Sequence, residues 1–224
     1  MLERNGQVSR TNTVRTICFV AMITALAFVA VAFGRIPAVL FLKYEPKDVI
    51  LLMGGLLFGP TLAFVSTIIC CFIEMLTISS TGGWGLLLNI ISSLSFVMVP
   101  LVLWTKKKTM KNLVVGLIYA TIIMTILMLL WNFIVTPIYM NTDRSKVIPL
   151  LLPAILPFNL IKASINSGLV LLLYTPVSKA LAPLLKRQDE SQTVYSQQGQ
   201  RLAYYIAGAF LIITGALCIY FLRG

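Results

Sequence analysis

The sequence of 224 residues contains no histidine, and only 7 of its residues are aspartate or glutamate. A metal site or a histidine-based acid–base catalyst is therefore not expected. The chain also lacks the G-x-x-x-x-G-K-[ST] pattern of a P-loop, so it is not expected to hydrolyse ATP by itself. These absences argue against an enzyme.

Cysteine is scarce too, with only 4 residues in the chain. They have neither the spacing of a zinc site nor the density of a disulfide framework. All of them lie in apolar segments, at Cys18, Cys70, Cys71 and Cys218. We interpret them as small residues of a hydrophobic core.

Long uncharged runs dominate the sequence, which is 58% hydrophobic and only 11% charged. Several runs reach the length of about 18 residues or more that an α-helix needs to cross a lipid bilayer. They are continuous, unlike the short alternating segments of an outer-membrane barrel. The sequence therefore predicts an all-α membrane protein with several transmembrane helices.

Basic residues outnumber acidic ones by 18 to 7, which gives a net charge of +11. In a soluble protein this balance would suggest a nucleic-acid partner. Here the basic residues lie mainly in the connections between apolar runs, where they orient the helices. No nucleic-acid partner is expected.

The apolar runs predict transmembrane helices at about residues 16–32, 86–104, 113–139, 150–185 and 202–222. A further uncharged stretch, residues 49–73, contains the pair Gly59-Pro60. This pair breaks helices, because proline lacks an N–H donor and clashes with the preceding turn. The stretch is either one kinked span or two helices separated by a turn.

Composition divides the chain into four parts. Residues 1–15 form a basic N-terminal arm, and residues 16–186 hold the main group of helices. The first helix shows no convincing cleavage site, so we expect it to remain in the protein. Residues 187–201, rich in glutamine and serine, are interpreted as a polar cytoplasmic linker, and residues 202–224 as a separate C-terminal transmembrane helix.

Basic loops favour the cytoplasmic side of a membrane. This rule places the lysines between residues 106 and 111 inside under both interpretations of residues 49–73. The count of basic residues on each side of the membrane is the same in both, so it leaves the side of the N-terminus undecided. The N-terminal arm carries three arginines and one glutamate, so we place the N-terminus in the cytoplasm. The loops at 35–48, 78–88 and 139–150 are then outside.

One lysine lies inside a long apolar segment. On an α-helix, Asn159, Lys162 and Asn166 are spaced i, i+3 and i+7, so they project from one face while Ile161 and Ile165 point elsewhere. An ammonium group near mid-bilayer costs about 2.5 kcal/mol or more, and such a residue normally faces a cavity or a partner. The sequence predicts a polar pocket that opens outward.

Other interpretations of these polar residues remain open. Glu74 is an acid inside an apolar run, and it is a candidate partner for Lys162 in a purely structural ion pair. Asn89 and Asn132 either bridge helices or contact a ligand. Tyr44 in the first external loop is either an ordinary interfacial aromatic residue or part of a site.

Several motifs resemble those of one known family of transport proteins. They are FLKYEPKD at 41–48, GGLLFGP at 54–60, Thr81-Gly82-Gly83, and LPFNLIK at 156–162 followed by Asn166-Ser167 and LYTP at 173–176. Over about residues 12–185 the chain resembles the substrate-binding S components of energy-coupling factor (ECF) vitamin transporters. The Phe-Asn-x-x-Lys element is most similar to the riboflavin-specific members, whereas the Gly-Pro turn is shared with S components for other vitamins.

The resemblance implies a bundle of six transmembrane helices in a bacterial cell membrane, with Gly59-Pro60 as a cytoplasmic turn. The helix at residues 202–224 departs from the family pattern. The resemblance also implies a transmembrane coupling protein, EcfT, and two ATPase subunits on other chains. Ala21 and Ala25 form a small-x-x-x-small pair, and the resemblance implies that the coupling protein docks on it.

The implied ligand is riboflavin, which is transported rather than used as a cofactor. Carboxamides and an ammonium group suit the polar edge of its flat ring, where two carbonyl oxygens flank an N–H. The expected substrate-binding residues are two lid residues and four polar residues, namely Leu42, Tyr44, Asn89, Asn132, Asn159 and Lys162. The alternatives are an S component for another vitamin, such as folate, thiamine or pantothenate, and a stand-alone membrane facilitator.

Overall fold

The computed structural model describes residues 2–39, 42–79 and 82–183, which form a helical bundle with one short hairpin. The predicted linker at 187–201 and the predicted helix at 202–224 lie outside the described residues. In chain order the elements are α1 (Leu2–Gly34), β1 (Ile36–Val39), β2 (Leu42–Tyr44), α2 (Lys47–Phe58), α3 (Pro60–Thr77), α4 (Gly82–Lys106), α5 (Met110–Tyr139), α6 (Arg144–Leu150), a π-helical turn (Leu151–Ile155) and α7 (Leu156–Ala180).

The uncharged stretch around Gly59-Pro60 forms two helices, which decides between the two interpretations of residues 49–73. Gly59 has φ 109° and ψ 160°, a conformation essentially restricted to glycine, and Pro60 begins α3. Direct contacts show that the chain reverses here. Asp48 and Gly55 of α2 lie against Ser93 and Leu101 of α4, so these two helices run parallel with α3 between them in sequence.

The same alternation continues through the bundle. Ser92 and Trp104 of α4 lie against Lys162 and Tyr174 of α7, so α4 and α7 are parallel as well. The first turns of α2 and α4 and the Lys162 region of α7 therefore lie near the end of the bundle that carries the β1–β2 hairpin. We call this the hairpin end, and the opposite one, with the loop of residues 106–110, the lysine end.

Five helical segments of the described chain are long and apolar enough to cross a membrane. They are Thr13–Gly34, Pro60–Thr77, Gly82–Lys106, Met110–Ile138 and Arg144–Ala180. Helix α2 has 12 residues and spans about 18 Å at 1.5 Å per residue, less than the hydrocarbon core of a bilayer. Most of its residues are buried, so α2 is an interior element of the bundle.

Three local features differ from the sequence prediction. Helix α1 begins at Leu2 and takes in the N-terminal arm, and the first external loop forms an antiparallel hairpin that pairs Ile36 with Tyr44. The apolar segment beginning near residue 150 is divided by a π-helical turn. Pro153 and Pro157 lie in or just after this turn, where their missing N–H groups prevent a regular α-helical ladder.

Close packing fixes α4 against α5 in the centre of the bundle. Gly116 of α5 lies against Pro100 of α4, and an added Cβ at Gly116 would come within 2.7 Å of the Pro100 Cα. Leu94, Val97 and Leu101 of α4 are almost fully buried. Ser92 and Ser93 lie directly before this packed part of α4, which therefore supports them rigidly.

Candidate functional site

The polar face predicted on α7 points into the bundle. Asn159, Lys162 and Asn166 have exposed fractions of 0%, 6% and 0%. Ile161 and Ile165, which belong to the opposite face, are 58% and 46% exposed. The prediction from helical spacing is confirmed.

Lys162 forms an ion pair, but not with the predicted acid. Its Nζ lies 3.5 Å from Oδ2 of Asp48 in α2 and 3.4 Å from Oγ of Ser92 in α4. The neighbouring Ser93 donates a 2.6 Å hydrogen bond to Oδ1 of Asp48. The suggested structural pair of Glu74 with Lys162 is therefore wrong.

Glu74 is instead paired with a second buried lysine, Lys47. The Lys47 ammonium donates to both carboxylate oxygens of Glu74 at 2.7 Å and to Oδ1 of Asn89 at 2.6 Å, and it lies 3.1 Å from Oε2 of Glu45. Asn89 in turn donates to Glu74. Asn89, predicted to bind substrate, thus belongs to a hydrogen-bonded cluster that ties α2, α3 and α4 together.

Sequence reasoning missed the burial of Lys47, although a signal for it was present. If Gly59-Pro60 is a reversal, residues at similar distances before and after it face each other. Lys47 and Glu74 meet this condition, since they lie 12 residues before Gly59 and 14 after Pro60. Lys47 was instead predicted to lie in the external loop, away from Glu74.

The two buried lysines differ in how well their donors are satisfied. An ammonium group has three donors, and good charged hydrogen bonds measure about 2.7–2.9 Å. Lys47 meets this standard with three contacts of 2.7 Å or less. Among the residues that the structure describes, Lys162 has only the contacts of 3.5 and 3.4 Å, so it keeps donor capacity for a further partner.

Polar atoms without a hydrogen bond lie on the same helix face and beside it. Within the described residues, Oδ1 of Asn159, Nδ2 of Asn166 and Oδ2 of Asp48 are buried and have no hydrogen-bond partner. The remaining amide group of Asn159 donates to the Ile155 carbonyl at 2.8 Å. Leaving a buried polar atom unpaired costs about 1–3 kcal/mol, so the arrangement favours a ligand that pairs with these atoms.

Asn132 is buried but occupied by its own helix. Its Nδ2 donates to the Met128 carbonyl at 2.7 Å, and its Oδ1 accepts from the Thr136 hydroxyl at 3.0 Å. A ligand contact at Asn132 would require one of these bonds to be exchanged. Its predicted role stays a prediction.

The hairpin is fastened over this end of the bundle. Tyr44 donates a 2.9 Å hydrogen bond to Oδ1 of Asn166, and Leu42 is 8% exposed. Arg35 donates to Glu45 at 2.9 Å through Nε and to the Ile78 carbonyl at 3.1 Å. The predicted lid residues therefore lie next to the polar face of α7.

Burial and neighbouring charges set the protonation states of two hairpin side chains, Glu45 and Tyr44. Burial raises the pKa of the Glu45 carboxyl, but the charges of Lys47, Lys162 and Arg35 outweigh burial and lower this pKa to about 2. Burial also raises the pKa of the Tyr44 hydroxyl, as does the charge of Asp48. Glu45 is therefore ionised at neutral pH and Tyr44 keeps its proton.

The cluster as a whole balances its charges. Three cations and three acids are linked by ion pairs, namely Arg35, Lys47 and Lys162 with Glu45, Asp48 and Glu74. A neutral total suits a neutral ligand with polar groups better than an ion. No group of three or more histidine, cysteine or acidic residues placed to hold a metal ion occurs in the part of the chain that the structure describes.

Ala21 and Ala25, predicted to dock a partner, are exposed on the outer face of α1. The opposite face of the same turns carries Ile23 and Ala27, which are 6% and 0% exposed. The alanine pair is therefore accessible to another membrane helix. Its role in docking stays a prediction.

The chain is similar to known proteins over most of its length. The family model described as "ECF transporter, substrate-specific component" matches residues 15–174. The riboflavin transporter RibU of Streptococcus thermophilus is 29% identical over 185 residues, which cover 78% of this chain and 87% of that protein. The riboflavin transporter RibU of Staphylococcus aureus is 29% identical over 177 residues, which cover 75% and 90%.

A solved structure agrees with this likeness. The S component of a bacterial ECF transporter superposes with a TM-score of 0.64 at 28% sequence identity. The match covers 75% of this chain and 98% of that one. The fold and the sequence are therefore both similar to those of ECF transporter S components.

Proposed function

Because the chain belongs to the substrate-specific components of ECF transporters, we propose that it is the riboflavin-binding subunit of such an importer. It binds the vitamin from outside the cell and carries out no reaction itself. A transmembrane coupling protein, EcfT, and two ATPase subunits on other chains supply the energy. Two relatives of this chain are riboflavin transporters, and this likeness supports the choice of vitamin.

The under-coordinated Lys162 carries the proposal. A flavin ring is flat and apolar, and one edge bears two carbonyl oxygens on either side of an N–H. Lys162 has donor capacity for a carbonyl oxygen, and Oδ1 of Asn159 is an unpaired acceptor one helical turn away for the N–H. The lid residues Leu42 and Tyr44 cover the ring from the hairpin end.

The hairpin end faces the outside of the cell in this proposal. The exposed lysines at the opposite end, Lys106, Lys107, Lys108 and Lys111, then lie in the cytoplasm, as the positive-inside rule requires. The N-terminus is cytoplasmic too, and α2 with α3 completes a bundle of six helices. The helix predicted at 202–224 is an addition to this bundle.

The coupling protein docks on the outer face of α1 in this proposal. Ala21 and Ala25 lack bulky side chains, so a partner helix can approach closely there. The buried faces of α1 point toward α2 and α3, which leaves the alanine face free for the partner. Binding of the vitamin and docking of the partner thus use different surfaces.

Titration calorimetry on the purified protein tests the proposed function. We expect riboflavin to bind tightly, and folate, thiamine and pantothenate not to bind. We expect Lys162→Ala to weaken riboflavin binding about tenfold or more, since a hydrogen bond to a charged group is worth about 1.5–3 kcal/mol.

The matched control is Lys43→Ala, which removes an exposed lysine of the hairpin and should leave the affinity unchanged. Tight binding of a different vitamin, without binding of riboflavin, would show that this other vitamin is the ligand. Unchanged riboflavin affinity in a folded Lys162→Ala variant would overturn the site.

A further inference from the structure

Asp48 is a buried acid that the proposed site has not yet used. It lies in the first turn of α2, is 0% exposed and receives the 2.6 Å hydrogen bond of Ser93 on one oxygen. Its other oxygen has no hydrogen bond and lies 3.5 Å from the Lys162 ammonium. Three helices, α2, α4 and α7, therefore meet at this carboxylate.

The bond from Ser93 fixes the direction of the carboxylate. Ser93 is itself 0% exposed and lies on the rigid helix α4, so Asp48 cannot rotate without losing a buried charged hydrogen bond. The second oxygen is consequently held at one point facing Lys162. An anion held there restricts a long and flexible side chain that would otherwise occupy many rotamers.

The contact with Lys162 is close enough to steer the ammonium group and too long to saturate it. A contact of 3.5 Å retains Coulomb attraction but little hydrogen bonding. Ser92 adds a second long contact from the adjacent position on α4, at 3.4 Å. The ammonium is therefore oriented by two oxygens at long distances, and it keeps donor capacity for a further acceptor.

We infer that Asp48, held by Ser93, is a positioning residue that directs the Lys162 ammonium toward a carbonyl oxygen of the ligand. This inference rests on the proposed function and adds a residue that determines specificity. Without the fixed carboxylate, the Lys162 side chain loses the anion that orients its ammonium group. Asp48 thereby makes the site selective for a strong acceptor at one position of the ring edge.

Two riboflavin analogues measure this selectivity. In 2-thioriboflavin and 4-thioriboflavin one ring carbonyl oxygen is replaced by sulfur, which is a weaker hydrogen-bond acceptor. The parent protein should bind at least one of them more weakly than riboflavin, by about tenfold. Lys162→Met should bind riboflavin and the weaker-binding analogue with similar affinity. This result would show that the discrimination depends on the ammonium group.

Asp48→Asn should abolish the same discrimination while it weakens riboflavin binding about tenfold. Ser93→Ala should reduce the discrimination in the same direction and provides the test if Asp48→Asn does not fold. The matched control is Ser95→Ala. Ser95 is equally buried on α4 but bonds only to carbonyls of its own helix, so its loss should leave the discrimination intact.

A purely structural role for Asp48 would give a different result. Loss of affinity for riboflavin and both analogues by the same factor, with the discrimination retained, would overturn the inference and leave the proposed function standing. A parent protein that does not discriminate against either analogue would overturn it as well. Failure of the parent to bind riboflavin at all would instead overturn the proposed function, and the inference with it.

Discussion

At the scale of residues, contact length separates the two buried lysines. Both lie in the bundle near the hairpin end and both face acids. Lys47 is 0% exposed and fully satisfied by Glu74, Asn89 and Glu45, so its charge is used within the protein. Lys162 has only long contacts within the described part of the chain, and this is why we propose that it binds the ligand. Burial alone does not distinguish the two lysines.

Replacing each lysine by methionine should therefore have opposite main effects. Lys47→Met removes the nearest cation of the Glu74 carboxylate and leaves only Arg35, 4.0 Å away, among the described residues; removing one partner of a buried pair typically costs about 3–5 kcal/mol of stability. Lys162→Met should destabilise the protein less and should mainly weaken ligand binding. Thermal unfolding in detergent, with Lys43→Met as the exposed control, measures the difference. Equal loss of stability in both variants would contradict this account.

At the scale of elements, one glycine makes two helices from a single uncharged run. Residues 49–73 carry no charge, and the conformation at Gly59 turns the chain back on itself. The reversal brings Lys47 opposite Glu74 and places Asp48 beside α4 and α7. The polar cluster therefore depends on this turn, although no residue of the turn belongs to the cluster.

Gly59→Ala should destabilise the protein by about 1–3 kcal/mol, because a side chain at φ 109° and ψ 160° is strained even where space is open. The control is Gly168→Ala. Gly168 lies inside α7 with open space around its Cα, so alanine should be neutral or should stabilise by about 0.5–1 kcal/mol. Thermal unfolding of the two variants checks the contrast. A Gly59→Ala variant as stable as Gly168→Ala would mean that the turn can adopt another conformation.

At the scale of the whole molecule, charge and polarity divide the bundle between its ends. The hairpin end holds a neutral cluster of three cations and three acids. The lysine end carries exposed basic residues between α4 and α5. Such an asymmetry favours one orientation in the membrane, with the lysine end in the cytoplasm.

Labelling of introduced cysteines should show this orientation. With the 4 native cysteines replaced by serine, Lys43→Cys should react with a membrane-impermeant maleimide on intact cells. Lys107→Cys should react only after the membrane is opened, since both positions are exposed but lie at opposite ends. The reverse pattern would show that the hairpin end, with the proposed vitamin site, faces the cytoplasm.

The sequence by itself determined the features that depend on local geometry. The shared face of Asn159, Lys162 and Asn166 follows from 3.6 residues per helical turn, and the possible break at Gly59-Pro60 follows from the backbone preferences of two residues. The apolar runs predicted α4 and α5 to within about four residues at each end, whereas α1 begins well before its predicted start and the run from residue 150 is divided by the π-helical turn. These inferences needed no knowledge of which helices touch.

Only the tertiary structure decided how the charges pair. Lys162 meets Asp48 rather than Glu74, and Lys47 is buried with Glu74 and Asn89, because pairing depends on the direction and register of helices far apart in the chain. Interactions of this kind join residues 27 to 114 positions apart, and no periodic pattern reports them. The sequence therefore identified a polar face with a lysine, whereas the packing of α2, α4 and α7 decided that this lysine lies beside Asp48 and Ser92 at long distances.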